Sequence, residues 1–127
     1  AETIAGSLPY GHQRLLEIAR AIVARPKLLL LDEPAAGMNG AEGARLVELI
    51  RRIRDLGITI MMVEHHMEVV MPTCDRITVL NYGRLLASGT PAEIRRHPEV
   101  IRAYLGQGSS RRRPPSSQAE AQAHAAG

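Results

Sequence analysis

The feature that most constrains this chain is a pair of short apolar runs, Leu28–Leu31 and Ile58–Val63. Each run is too short for a helix, so both are predicted to be strands. The segment between them predicts a helix, because Asn39 and Glu42 form a capping-box pattern and apolar residues follow at helical spacing, at Leu46, Leu49, Ile50 and Ile53. Strand, helix and strand at this spacing are typical of a parallel sheet whose strands are buried on both faces.

Further elements are predicted on both sides of this unit. The pattern indicates, in chain order, a helix over 11–25 ended by Pro26, a helix over 64–71 limited by Pro72, a hairpin over 76–89 turning at Asn81-Tyr82-Gly83, a helix start at Thr90-Pro91-Ala92-Glu93 and a short helix over 98–106. From Ser109 the composition turns to Ser, Arg, Pro, Gln and Ala. We therefore predict one domain over 1–108 and a disordered tail over 109–127.

The composition excludes several classes of protein. The chain has 127 residues, of which 45% are hydrophobic but only 2% aromatic, so its core is predicted to be aliphatic. A single cysteine, Cys74, excludes an internal disulfide, and no apolar run approaches the ~18 residues of a membrane span. Much of the net charge of +3 comes from Arg111, Arg112 and Arg113, and aromatic residues are few, so nucleic-acid binding is not expected.

Polar residues follow both predicted strands at the point where each strand ends. Asp32 and Glu33 come directly after the first strand, and His65 comes two residues after the second. The carboxyl ends of parallel strands meet at one edge of a sheet, where open α/β folds bind their ligands. A carboxylate can hold Mg²⁺, a second one can orient an attacking water, and a histidine can contact a phosphoryl oxygen. These residue types together favour phosphoryl transfer.

Each of these residues also has an ordinary structural interpretation. An Asp-Glu pair after an apolar strand is often a polar turn, and a lone histidine at a strand end is often structural. The pair His65-His66 suggests a metal site, but we find no cysteine, aspartate or third histidine at ligand spacing, so a zinc site is not expected.

Four segments together resemble the ATP-binding-cassette (ABC) ATPases. The segment "LLLLDEP" resembles their Walker B motif, "AAGMN" resembles the D-loop, His65 in "MMVEHHM" matches the switch histidine, and "LPYGHQRLLEIARAIVARPK" resembles the signature motif with its helix. All four occur in the order and at the spacing of the family, and the resemblance covers about 3–108. The ending "GTPAEIRRHPEVIRAYLG", within a segment of about 83–108, is similar to the ATP-binding subunits of branched-chain amino acid importers. Urea importers and lipopolysaccharide exporters end in a similar way.

The resemblance implies a substrate, a metal and a set of roles. ATP is the nucleotide, and Asp32 binds Mg²⁺ through water. Glu33 is the general base, and His65 contacts the γ-phosphate. Asn39 takes the D-loop position and acts across a dimer interface, although its place also makes it a helix N-cap. The signature residues that face the ATP of a partner subunit are Leu8, Pro9, Tyr10, Gly11 and His12.

The signature motif departs from the common Leu-Ser-Gly-Gly-Gln. Pro9 replaces the serine, Tyr10 replaces the first glycine, and His12 replaces the glutamine. The Tyr-Gly pair suits the importer branch, whereas His12 does not follow the pattern.

The Walker A loop, G-x-x-x-x-G-K-[ST], is not found in the 127 residues. Gly6 and Gly11 have the glycine spacing, but His12 and Gln13 follow them. We therefore expect the C-terminal half of an ABC-type P-loop nucleotide-binding domain, which is an α/β fold with a partial parallel sheet, flanking helices, a C-terminal β-hairpin and short helices. The parent protein is expected to hydrolyse ATP and the 127 residues alone to be inactive.

The resemblance also implies partners and a place in the cell. The partners are a second ABC ATPase subunit, identical or paralogous, and transmembrane permease subunits, and the location is the cytoplasmic inner face of a bacterial plasma membrane. Two alternatives remain at this point: a soluble ABC ATPase of DNA repair or translation, and a non-catalytic half-cassette that binds a partner.

Overall fold

A computed structural model describes residues 10–105 and 121–125 of the chain. Its elements in chain order are α1 (Tyr10–Val23), β1 (Leu28–Asp32), α2 (Gly40–Asp55), β2 (Thr59–Glu64), α3 (Met67–Thr73), β3 (Arg76–Asn81), β4 (Arg84–Gly89), α4 (Pro91–Arg96), α5 (Pro98–Val100) with a π-helical turn (Ile101–Leu105), and β5 (Ala121–Ala125). The predicted α/β class and the predicted order of helices and strands are confirmed. In this described part of the chain, no helix combines the length and the apolar character that crossing a membrane requires.

Within residues 10–105 and 121–125, the strands form one mixed sheet of five strands in the order β1-β2-β5-β3-β4. β1 and β2 are parallel, with Leu28 opposite Thr59 and Asp32 opposite Val63, as the crossover pattern predicts. β5 is antiparallel to both of its neighbours, so β2 and β3 run in the same direction. β3 and β4 form the predicted hairpin, and positive φ angles at Tyr82 and Gly83 fit a tight two-residue turn.

The core is aliphatic, as the composition predicts, and it lies between the sheet and the helices. The side chains of Leu46, Ile50 and Ile53 on α2 are fully buried, and they share one cluster with buried residues of α1, α3 and the strands. Burial along β1 alternates, however, and Leu28 and Leu30 are 52% and 66% exposed. The predicted burial of β1 on both faces is therefore wrong, because the helices in the described part of the chain cover one face of this strand.

The predicted disordered tail is wrong for Ala121–Ala125, which form β5 inside the sheet. Facing edges of β2 and β3 present backbone N–H and C=O groups, and an extended segment of almost any composition can pair with them. The other residues of the predicted tail lie outside the described part of the chain.

Several helix boundaries also differ from the prediction. α1 ends at Val23, and α3 begins at Met67, because Glu64 belongs to β2 instead of starting the helix. Pro72 lies inside the last turn of α3 rather than ending it, and the turn is held by the Thr73 hydroxyl, which donates to the Val69 carbonyl at 2.6 Å.

The predicted helix over 98–106 begins as α5 and widens into the π-helical turn, in which the Tyr104 hydroxyl donates to the Leu80 carbonyl at 2.8 Å. The predicted start of α4 is confirmed, because the Thr90 side chain accepts a hydrogen bond from the Glu93 N–H at 3.2 Å.

Candidate active site

The carboxyl ends of β1 and β2 bring the predicted catalytic residues together. The last pair of the parallel ladder joins Asp32 and Val63, so the residues that follow these two leave the sheet side by side. Glu33 Oε1 lies 3.7 Å from His65 Nε2, and both side chains are about half exposed, at 45% and 48%. Because the Glu33 carboxylate and the His65 imidazole are both exposed and lie close together, one bound molecule can contact both. The predicted meeting of the two residues at one edge of the sheet is confirmed.

The backbone at Glu33 adopts an unusual conformation. Its φ angle is +45°, in the left-handed region, which costs a residue other than glycine about 1–2 kcal/mol. Two hydrogen bonds offset this cost: the Glu33 N–H donates to the Val63 carbonyl at 2.7 Å, and the Ala36 N–H donates to the Glu33 carbonyl at 3.1 Å. Non-glycine residues held in this region are concentrated at functional sites. The turn directs the chain away from the sheet immediately after Asp32.

A buried carboxylate that the sequence reasoning missed lies behind these two residues. Glu64 is the last residue of β2 and is 1% exposed. Its Oε2 accepts the Ala35 N–H at 3.0 Å, and its Oε1 accepts the His65 N–H at 3.0 Å and contacts His66 Nδ1 at 2.6 Å. Burial acts to raise the pKa of Glu64, but these hydrogen bonds and the His66 charge outweigh it, so the pKa is lowered.

The strand periodicity contains the signal that could have found Glu64. Ile60, Met62 and Glu64 occupy alternate positions of β2, and all of them are buried. A carboxylate on the inward face of a strand requires hydrogen-bond donors around it, and the loops that follow β1 and β2 supply these donors.

Glu64, His65 and His66 also bring potential metal ligands within 4.8 Å of one another. A zinc site is not expected from the sequence because no cysteine, aspartate or third histidine lies at ligand spacing, but Glu64 also offers a ligand atom. Both Glu64 oxygens, however, already accept hydrogen bonds from the backbone. A metal ion at Glu64 would have to displace these donors from a buried carboxylate, so the arrangement favours a hydrogen-bonded network over a metal site.

Asp32 fits the predicted magnesium role in its chemistry. Its carboxylate is exposed at the end of β1, and oxygen ligands that leave water on the ion are those that Mg²⁺ prefers. Its backbone carbonyl accepts a hydrogen bond from Arg14 Nη2 at 2.9 Å, which connects α1 to this edge of the sheet. The magnesium role itself stays a prediction.

Asn39 is the N-cap of α2, as its position predicts. Its side chain accepts the Glu42 N–H at 2.9 Å, and the Glu42 carboxylate reaches back to the Asn39 N–H at 3.5 Å. Asn39 is exposed, so its side chain is also accessible to another molecule. Its predicted contact across a dimer interface stays a prediction.

Tyr10, Gly11 and His12 of the signature lie at the start of α1, next to the loop between β1 and α2. Leu8 and Pro9 fall outside the described residues. Tyr10 is 58% exposed, and its ring lies 3.4 Å from where a side chain at Gly37 would begin. Gly11 is buried in the first turn of α1, where a Cβ would collide with the Glu42 carboxylate. His12 Nε2 lies 3.0 Å from Arg45 Nη1, and because the guanidinium can only donate, His12 accepts.

Two family models match the sequence. The ABC transporter model matches residues 1–36, and the model of the branched-chain amino acid ATP-binding cassette transporter matches residues 84–109. The first match contains the signature, Asp32 and Glu33, and the second contains β4 and the C-terminal helices.

Curated proteins of the same kind are similar over most of this chain. The chain is 55% identical over 104 residues to the high-affinity branched-chain amino acid transport ATP-binding protein LivG of Salmonella typhimurium, covering 81% of this chain and 41% of that protein. It is 50% identical over 108 residues to BraF, of the same description, from Pseudomonas aeruginosa, covering 84% and 42%. The lipopolysaccharide export system ATP-binding protein LptB of Escherichia coli is 37% identical over 106 residues, covering 84% and 44%. The chain thus spans about two fifths of the length of these relatives.

Solved ABC cassettes share the fold. The ADP conformation of MJ1267, an ATP-binding cassette of an ABC transporter, matches with a TM-score of 0.69 and 28% identity, covering 80% of this chain and 42% of that one. These comparisons confirm the predicted resemblance of the chain to an ABC ATP-binding domain and to ATP-binding proteins of branched-chain amino acid transport.

Proposed function

We propose that this chain is part of an ABC ATP-binding cassette. The full-length protein that contains it hydrolyses ATP to energise a bacterial importer of branched-chain amino acids. The observation that carries the proposal is the 3.7 Å approach of Glu33 Oε1 to His65 Nε2 at the carboxyl ends of two parallel strands. This arrangement places a base and a hydrogen-bonding group where one phosphoryl group can meet both.

The proposed reaction assigns one task to each residue. A water molecule attacks the γ-phosphorus of ATP, and one of its protons passes to the Glu33 carboxylate as the new P–O bond forms. The bond from the γ-phosphorus to the bridging oxygen breaks and leaves ADP. The His65 imidazole hydrogen-bonds the γ-phosphoryl oxygens. Asp32 would hold Mg²⁺ through water, and when bound, Mg²⁺ neutralises charge on the phosphate oxygens.

The proposal includes a second ABC subunit and a permease. The exposed Tyr10 and Asn39 flank the loop between β1 and α2, which is consistent with a partner subunit that binds over this edge. The signature residues would then face the nucleotide of the partner, and Gly11 would offer its N–H near a helix N-terminus that favours anions. The assembly would sit on the inner face of the plasma membrane, next to the transmembrane subunits.

The choice of cargo depends on the sequence likeness alone. Identity is 55% to a branched-chain amino acid transport protein and 37% to a lipopolysaccharide export protein, and the match over 84–109 belongs to the former kind. The alternative is a related ABC ATPase for urea or lipopolysaccharide transport. Uptake of labelled leucine in a deletion strain, with and without the gene, separates the two: normal leucine uptake in the deletion strain would favour the alternative.

The ATPase proposal is tested with Glu33→Gln in the full-length protein. The amide cannot accept the proton, so turnover should fall by at least about 100-fold while ATP binding is retained. Glu48→Gln is the matched control, because Glu48 lies on α2 with its side chain 65% exposed and paired only with Arg52 among the described residues. Hydrolysis near the wild-type rate in Glu33→Gln would refute the general-base role.

The reading frame upstream of Ala1 supplies an independent test. A G-x-x-x-x-G-K-[ST] loop is expected there, because a base and a metal ligand need a cradle for the triphosphate. A reading frame that begins at Ala1 would contradict an ATPase built on this chain.

A further inference from the structure

We propose that Glu64 is a positioning residue for ATP hydrolysis. Its buried carboxylate holds the loop after β1, which carries Glu33, and the loop after β2, which carries His65, at a fixed separation. We define the Glu64 clasp as this carboxylate together with the N–H groups of Ala35 and His65 and the side chain of His66. The inference rests on the proposed function, since it concerns how the general base and the switch histidine are placed.

The two oxygens of Glu64 bond to different loops. Oε2 accepts the Ala35 N–H at 3.0 Å, in the loop that follows β1. Oε1 accepts the His65 N–H at 3.0 Å and meets His66 Nδ1 at 2.6 Å, in the loop that follows β2. One rigid carboxyl group therefore fixes the separation of the two loops, because its oxygens cannot move independently.

The clasp continues the connection between β1 and β2 where the sheet ends. The parallel ladder closes at Asp32 and Val63, and the Glu33 N–H then donates to the Val63 carbonyl at 2.7 Å. The next connection is Ala35 to Glu64, two residues beyond Glu33. Glu33, in its left-handed conformation, is thus held by one bond at its own N–H and by another just after it. The side chains of Glu33 and His65 stay 3.7 Å apart only while both loops keep these places.

A carboxylate suits this position better than its neutral amide. Glu64 is 1% exposed, so solvent cannot replace a lost partner. Its two oxygens both accept, whereas glutamine would turn an NH₂ group toward one of the two loops and set a donor against a donor. Glu64→Gln should therefore break one side of the clasp and leave the other side and the shape of the side chain unchanged.

The test uses Glu64→Gln in the full-length protein, beside Glu33→Gln and the control Glu48→Gln. Steady-state kinetics should show a fall in kcat of about 10- to 100-fold with KM for ATP within about twofold, because a small displacement of a reacting group acts on the chemical step. In the Glu33→Gln background, the added Glu64→Gln should lower the residual rate by a smaller factor than it lowers the wild-type rate, because the base is already gone and only His65 remains to be positioned. A loss of overall fold would instead multiply the two effects.

Amide hydrogen exchange gives a readout that does not depend on turnover. In Glu64→Gln, peptides covering 33–39 or 65–67 should exchange faster, while peptides from β3, β4 and α4 should keep wild-type protection. Unchanged exchange in both loops would overturn the clasp, and so would a wild-type kcat in Glu64→Gln or independent, multiplying effects of the two substitutions. If the wild-type protein fails to hydrolyse ATP, the proposed function fails. If Glu33→Gln is fully active, the general-base role fails, and in either case the assignment of Glu64 to hydrolysis falls with it.

Discussion

Asn39 is the N-cap of α2 and is proposed to make a D-loop contact, and substitutions can separate the two. In Asn39→Ala, α2 loses the side-chain oxygen that accepts the Glu42 N–H. This hydrogen bond is 2.9 Å long, which is the usual length for an N–H···O bond. The reciprocal bond to the Asn39 N–H is 3.5 Å long, at the limit for a hydrogen bond, so it adds little. We therefore expect a loss of about 1 kcal/mol in the free energy of unfolding, from the cap alone.

Urea unfolding of the full-length protein, followed by far-UV circular dichroism, measures this loss. With a slope of about 2 kcal/mol per molar urea, the midpoint should fall by about 0.5 M in Asn39→Ala. Asn39→Asp and Asn39→Ser keep a capping oxygen, so their midpoints should stay near the wild-type value. ATPase activity of Asn39→Ser then reports on the D-loop contact without a loss of the cap. A midpoint unchanged in Asn39→Ala, or lowered equally in all three variants, would refute the capping argument.

Two further predictions follow from the ionisable groups that the fold buries. The pKa of Glu64 is lowered, so its ionised carboxylate stabilises the fold above the pKa of an unfolded glutamate, and this contribution is lost as the pH falls below that value. The wild-type protein should therefore lose more stability than Glu64→Gln between about pH 5 and about pH 3, and parallel pH curves would contradict this. Burial raises the pKa of Cys74 to about 11, so at about pH 8 roughly one thiol in 1,000 is ionised. Thiol reagents should therefore label Cys74 only after unfolding, and rapid labelling of the native protein would contradict its burial.

Local patterns were sufficient to predict the elements that position the site. The capping-box spacing placed the start of α2 at Asn39, and the residues Thr90 and Glu93 placed the start of α4. These signals involve residues three positions apart, so no knowledge of the rest of the molecule is needed. The lengths of the apolar runs predicted the carboxyl ends of β1 and β2 to within one residue, and with them the meeting of Glu33 and His65.

Features that depend on neighbours distant in sequence could not be predicted in the same way. An all-leucine run shows no alternation, so the exposure of Leu28 and Leu30 depends on which face the helices cover. The pairing of β5 depends on backbone groups of β2 and β3, which composition does not describe. Composition alone predicts disorder for such a segment.

The case of Glu64 shows how one geometric rule determines two residues of the site. Side chains alternate along β2, so a strand that buries Ile60 and Met62 also buries Glu64. His65 lies one residue beyond the end of β2, where continuing the same alternation puts its side chain on the exposed side, toward Glu33. A shift of one residue in the register of β2 would bury His65 and expose Glu64. The proposed positioning by Glu64 and the proposed phosphate contact of His65 would then be lost together. Because the buried carboxylate then needs donors, the loop that carries Glu33 must stay close enough to supply the Ala35 N–H. The requirement that stabilises Glu64 in the core is therefore also the one that holds the proposed general base in place.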